Sequence, residues 1–287
     1  MFMDIKKNIP WWLKIPAKIV LSRIPVSHAT WRKLNIFSHA SGSGYDYLYS
    51  SFKEAFEVSN IKNNFTMLEL GPGESIATGI IAFYHGAEKS YLIDATSDAT
   101  DNIIYYQDLV KFIKKYQDNI NDIDNIHDVT ELMELYNIKY LTNGIDSLKS
   151  LESGSIDYLW SQSVLEHIRK KEFIDLIKET RRLLKPDGVC FHRIDLKDHM
   201  AYAHNNLRFS EAIWESDFMA NSGFYTNRIL YSEMLDVFKK CNFKVTVTNV
   251  KKWNKLPTEK SKLHKSFRNI SKEDLIISDF DVLLNPE

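Results

Sequence analysis

Two acidic residues stand where chemistry on a nucleoside would need them. Glu69 sits inside "LELGPGES", residues 68–75, and Asp94 closes the apolar run "SYLID" about twenty residues later. Between them Gly71 and Gly73 punctuate a turn between a strand-like run and the helix-like "SIATGIIAFYHG". A carboxylate at the end of a second strand accepts both hydroxyls of a ribose. A dinucleotide loop would continue as G-x-G-x-x-G, but its third glycine is replaced here by Ile76. A carboxylate beside the turn repels a pyrophosphate and favours a ligand with positive charge. The implied ligand carries a ribose, an adenine and a cationic end.

A second group gathers in "HRIDLKDH", residues 192–199, at and beyond the end of a later apolar run. A histidine oriented by an aspartate is the smallest base-and-orienter pair, and an imidazole with a pKa near 6.5 suits removal of a hydroxyl proton. The expected base is His192 or His199, with Asp195 as partner and Asp198 close by. Further on, Arg208, Trp214, Tyr225 and Arg228, with Asn206 and Asn227, offer aromatic faces and guanidinium forks, a set that suits a sugar or a phosphate.

These groups need elements to position them. Short apolar runs alternate with amphipathic stretches, which predicts strand–helix repeats and a mainly parallel sheet. Strands are expected at 65–70, 90–94, 138–142, 156–161, 188–194, 243–250 and 275–284, with helices over 102–118, 129–136, 171–184 and 232–241. The "KPDG" after the third of these helices should stop it and start a turn. Such a sheet binds ligands beyond the carboxyl ends of its strands, where Glu69, Asp94, residues 143–146, residues 161–163 and the 192–199 group all fall. The long aromatic stretch 196–231 reads as a lid. Residues 1–60 are expected to form a helical cover and 61–287 the main domain.

In this order "LELGPGES", "LID", "GSIDYLWSQSVLEHI" and "LLKPDGV" resemble the motifs of class I S-adenosylmethionine-dependent methyltransferases. The resemblance implies an α/β, Rossmann-like, seven-stranded and mainly parallel sheet with helices on both faces and its last strand antiparallel. It places Glu69, Gly71 and Gly73 around the methionine part of S-adenosylmethionine, Asp94 on the ribose, Ile145 and Asp146 near the adenine, and Ser161 and Gln162 on the cofactor side. Some relatives hold a metal ion with Glu-x-x-Glu-His at the fourth-strand motif. Ser163 stands here for the first carboxylate, so no metal is expected, and Glu166 and His167 read as the start of a helix. The segments "IPWWLKIPAKIVLSRIP", "HRIDLKDH", "LRFSE" and "TNR" are similar to those of methyltransferases in bacterial surface-glycan pathways. That likeness implies histidine-assisted, in-line O-methylation of a sugar or sugar-linked phosphate, on a small-molecule or glycan acceptor carried by a nucleotide or a lipid.

Bulk properties narrow the field. The 37 basic and 38 acidic residues of the 287-residue chain nearly cancel, so no nucleic-acid partner is expected. Cys190 and Cys241 form no metal-ligand pair and read as reduced thiols of a cytoplasmic protein. Near the start, Pro10, Pro16 and Pro25 and scattered lysines interrupt every apolar run, so neither a spanning helix nor a signal peptide is expected. Trp11 and Trp12, beside Lys6, Lys7, Lys14, Lys18 and Arg23, suit a peripheral membrane contact through residues 5–25, or a cover on the domain. Two rival functions are a nicotinamide-dependent sugar oxidoreductase, disfavoured by Ile76, and a non-catalytic membrane-associated binding module of the same fold.

Overall fold

The computed structural model describes residues 44–287 apart from Asn119, together with Pro10, Trp12, Leu13 and Pro16. The membrane contact through residues 5–25, those four aside, and most of the cover expected over 1–60 lie outside the described residues. Of that cover the helix α1 (Tyr45–Ser59) is described.

Seven strands form one sheet: β1 (Phe65–Leu70), β2 (Ala87–Ile93), β3 (Ile138–Leu141), β4 (Ile156–Gln162), β5 (Leu184–Asp195), β6 (Phe243–Lys252) and β7 (Ile277–Pro286). Their order is β3-β2-β1-β4-β5-β7-β6. The first five run parallel, and β7 is antiparallel to both β5 and β6. This is the Rossmann-like arrangement that the motifs imply. Central strands β1 and β4 are buried along nearly their whole length, as apolar runs covered on both faces should be, whereas β6 at the edge exposes most of its polar residues.

Each face has its own core. On one, α1, α2 (Ala77–Tyr84), α3 (Ile103–Ile113) and α4 (Val129–Leu135) pack around Phe52, Ile80, Tyr106, Leu132 and Tyr158. On the other, α5 (Ile145–Lys149), α6 (Lys170–Leu183) and, after the short helices α7 (Glu211–Trp214) and α8 (Asp217–Ala220), α9 (Tyr231–Lys240) pack around Leu148, Phe173, Ile177 and Phe238. Asp128 caps α4 by accepting from the amides of Thr130 and Glu131 at 2.7 and 2.9 Å. The short helix α10 (Lys272–Leu275) leads into β7.

Two elements depart from expectation. Helix α3 stops at Ile113, its last buried position, instead of running to 118. The "KPDG" turn lies inside β5 as a bulge, because Ile156 opposes Leu184 while Tyr158 opposes Val189. Lys185, pushed out by this bulge, ion-pairs with Asp157 at 2.7 Å.

Candidate active site

At the carboxyl ends of β1, β2 and β4 lies a cavity of about 330 Å³, lined by Gly71, Asp94, Gly144, Ile145, Ser163 and His167 among others. The turn after β1 builds one wall. Gly71 (φ +67°) and Gly73 (φ +66°) both take the left-handed conformation that glycine adopts without strain. The Gly71 amide donates to the Ile93 carbonyl at 2.8 Å and the Gly73 amide to Asp94 Oδ2 at 3.2 Å. Asp94 thereby holds the turn and still fronts the cavity, where its carboxylate can accept from a ribose. Ile93, Ile145, Leu148, Ile168 and Leu176 give the remaining wall an apolar surface suited to a flat base.

Glu69 stands behind this turn and does not line the cavity. It is buried opposite Trp160 of β4, near the Thr78 hydroxyl and the Trp160 indole. Burial pushes the carboxyl up to about 8, Thr78 and Trp160 pull it down, and the nearby Asp94 raises it. The expected negative rim is therefore one charge, Asp94, with a proton-bearing Glu69 beneath it near neutral pH. Together the turn, Asp94 and the apolar wall fit S-adenosylmethionine.

Three predicted cofactor residues are elsewhere. Asp146 points to solvent and ion-pairs with Lys149 at 3.1 Å, because it opens the short helix α5 on its outer side. Ser161 is fully buried, its hydroxyl 2.7 Å from His192 Nδ1. Gln162 donates to the Tyr47 hydroxyl of α1 at 2.7 Å.

His192 also needs correction. It is register partner to Ser161 and fully buried, with its Nε2 2.9 Å from Cys190 Sγ and its ring stacked on Phe238. Burial pushes its pKa down to about 3 and the Cys190 thiol well up. A neutral imidazole tying β4 to β5 inside the core does not face the crevice. Asp195 does reach a cavity but partners no histidine; it accepts from the Lys197 amide at 2.8 Å and pairs with the Lys197 ammonium at 3.1 Å. Asp198, fully buried, holds a loop by accepting from the amides of Met200, Ala201 and Asn205.

A second cavity, about 630 Å³, is lined by Ser163, His167, Asp195, His199, Tyr202, Ala220, Gly223 and Tyr225. Ser163 and His167 line both cavities and so mark where they meet. Ser163 adopts φ +53°, a strained conformation held by the hydrogen bond its backbone amide donates to the Arg193 carbonyl at 2.8 Å. His167 sits against His199: their Nε2 atoms are 3.1 Å apart and their rings stack at 4.8 Å. In the sequence His167 reads as part of a helix start, and its pairing with a residue 32 positions away leaves no local signal.

The aromatic excursion after β5 forms the outer wall and is pinned down. Asn227 donates to the carbonyls of Leu165 and Ile168, its amide to that of Glu166, and Arg169 pairs with Asp217 at 2.6 Å. Of the four expected acceptor-binding residues only Tyr225 lines the second cavity. Trp214 is fully buried and donates to the Thr226 carbonyl. Arg228, also buried, bonds the Phe209 carbonyl and Glu211 and lies over Trp214, bracing the excursion from within. Arg208 ends a 3₁₀ turn, Asn205–Arg208, outside the lining. Among the described residues, no cluster of three or more histidine, cysteine or acidic side chains is arranged to hold a metal, and no helix is long and apolar enough to cross a membrane.

Residues 68–192 match the family model of a methyltransferase domain. That span contains the glycine turn, Asp94, Ile145, Ser163 and His167. Among solved structures the chain is similar to the YcgJ protein from Bacillus subtilis, at 12% identity over 83% of this chain and 99% of that one, with a TM-score of 0.46. It is also similar to a SAM-dependent methyltransferase from Archaeoglobus fulgidus (12% identity, 84% and 94% covered, TM-score 0.46). A third is phosphoethanolamine N-methyltransferase 2 from Haemonchus contortus, solved with S-adenosyl-L-methionine (14% identity, 85% and 56% covered, TM-score 0.47). No curated protein matches the sequence. The chain is an enzyme, a methyltransferase whose cofactor is S-adenosylmethionine.

Proposed function

We propose that this S-adenosylmethionine-dependent methyltransferase O-methylates a sugar hydroxyl during surface-glycan assembly, on an acceptor carried by a nucleotide or a lipid at the cytoplasmic side. One observation carries the reading: the 630 Å³ cavity meets the cofactor cavity at Ser163 and His167 and is lined by hydroxyl, imidazole and carboxylate groups with two tyrosine rings. Among the described residues no lysine or arginine lines it, which suits a sugar hydroxyl better than a phosphate at the reacting end.

When bound, the cofactor supplies an electrophilic methyl group on a positively charged sulfur. Asp94 and the glycine turn would hold its ribose end and Ile145 its base, with Glu69 buried behind the turn. Tyr202 and Tyr225 would cover the faces of a sugar ring, and Asp195 and Ser163 would bond its hydroxyls. Alignment of this kind contributes about 7–11 kcal/mol, more than the roughly 3–5 kcal/mol of a general base.

The test is transfer of radiolabelled methyl from S-adenosylmethionine to a panel of free hexoses, nucleotide-linked hexoses and phosphoethanolamine. Label on a sugar oxygen is expected. Label found only on the amine overturns the reading.

A further inference from the structure

We propose that His167 and His199 act as one proton-accepting unit for the acceptor hydroxyl, with His167 fixing the tautomer of the pair. The inference rests on the O-methylation reading. The carbonyl of Tyr225 lies 3.0 Å from His167 Nδ1 and can only accept, so the neutral imidazole keeps its proton on Nδ1. Its Nε2 is then a lone pair aimed at His199 Nε2, 3.1 Å away, which must carry the proton between them. Tyr225 is itself held, donating its hydroxyl to Glu215 at 2.8 Å and accepting from the Lys170 amide at 3.1 Å. The tautomer is thus set by backbone and an anchored ring.

Such a pair takes up one proton. Two imidazolium ions with nitrogens 3.1 Å apart would repel strongly, so the first proton opposes the second and the pair titrates as a unit. Charged groups near it include Asp195, held by Lys197, which also pairs with Asp279; Glu215 and Arg169 behind Tyr225; Glu166, buried on the element that carries His167; and Asp94 and Glu172, which line the first cavity with His167. In the transfer, the acceptor's O–H bond breaks and its proton passes to the pair, while its oxygen forms a bond to the methyl carbon and the carbon–sulfur bond breaks with its electrons left on sulfur. One positive charge disappears at sulfur as one appears on the imidazoles, so the site's net charge is unchanged. His167, which lines both cavities, puts that new charge beside the one being lost.

The test uses the full chain with isotope-labelled histidine. Nitrogen NMR across pH should show His167 protonated on Nδ1 and one proton shared by two rings whose titrations are coupled. With the hexose best labelled in the transfer assay, His199→Ala and His167→Ala should each lower kcat by about 10²–10⁴-fold, and the double variant no further. His167→Gln, which keeps an acceptor near the Nε2 position, should recover part of the loss. Independent titrations, or full turnover in His199→Ala, overturn the proposal and leave O-methylation standing. Coupled titration in a wild-type protein that labels no hydroxyl instead removes the O-methylation reading, and with it the pair's role as base.

Discussion

Val164 closes over Gly71 so tightly that a β-carbon at Gly71 would lie 2.5 Å from Val164 Cγ2, whereas one at Gly73 would meet nothing within 4 Å. Both glycines have positive φ, so an alanine at either costs about 1–2 kcal/mol in backbone strain. Gly71→Ala adds overpacking against Val164, bringing its cost to about 2–5 kcal/mol. Thermal unfolding should show Gly71→Ala well below Gly73→Ala. Isothermal titration should show cofactor affinity lost in the first and reduced in the second, because Val164 borders the same cavity.

Glu69 makes stability depend on pH in a definite direction. Its folded pKa of about 8 exceeds the ordinary 4.5 of an unfolded glutamate, so the fold retains a proton that the unfolded chain gives up. This contribution is complete below about pH 4.5 and is lost as pH rises through 8, on the order of 5 kcal/mol across the range. Glu166 and Asp195, both raised by burial, act in the same sense. Glu69→Gln should flatten the decline seen by denaturant unfolding between pH 5 and 8. An unchanged slope would mean that Glu69 is ionised in the folded chain.

His192 has the opposite sign. Its pKa is pushed down from 6.5 to about 3, so its contribution is present above about pH 6.5 and fades as acid protonates the unfolded chain, again on the order of 5 kcal/mol. His204, pushed down to about 4, adds to the acid sensitivity. His192→Ala should cost about 2–4 kcal/mol by opening a cavity and stranding Ser161, while cofactor affinity stays within about threefold of wild type. A stable His192→Ala protein with abolished turnover would restore His192 to the chemistry.

Much of this was legible in the sequence. Parallel strands buried on both faces read as apolar runs, and the residues that end them, Asp94 above all, fall where ligands meet such sheets. What misled was polarity inside a strand. His192 breaks an apolar run, which suggests function, but Cys190 two residues before it and Ser161 in register on β4 satisfy it internally, and only strand pairing reveals the second partner. Trp214 and Arg228 look like binding groups in a polar stretch; they instead form the small core that lets an excursion between β5 and α9 hold a shape. The His167–His199 contact joins the end of β4 to the loop after β5 and exists only once both are folded.

Asp94 and Asp146 separate a cavity-lining carboxylate from a solvated helix start. Asp94 lines the cavity and secures the Gly73 amide, while Asp146 faces water beside Lys149. Asp94→Asn should weaken S-adenosylmethionine by at least tenfold, since a carboxylate accepting from two hydroxyls contributes about 1.5–3 kcal/mol per charged bond. Asp146→Asn should leave affinity within about twofold. Titration calorimetry on both variants decides the matter, and a tenfold loss at Asp146 would return it to the adenine.

Arg228 tests whether the excursion is a braced wall or a mobile lid. Its side chain is 1% exposed and pairs with Glu211 at 2.7 Å, so Arg228→Ala removes a buried charge from its partner and a bond to the Phe209 carbonyl together. Because Glu211 is 56% exposed and stays solvated, the loss from Arg228→Ala is that of packing and the Phe209 bond, about 1–3 kcal/mol, while Trp214→Ala costs about 3–5 kcal/mol through its cavity. If the excursion is a wall, both variants should show faster local hydrogen exchange over 200–228 and a raised KM for the acceptor, with cofactor affinity kept, because neither residue touches the first cavity. Equal exchange rates in wild type and variants would mean that this segment already opens freely, and the acceptor cavity would then be shaped by binding.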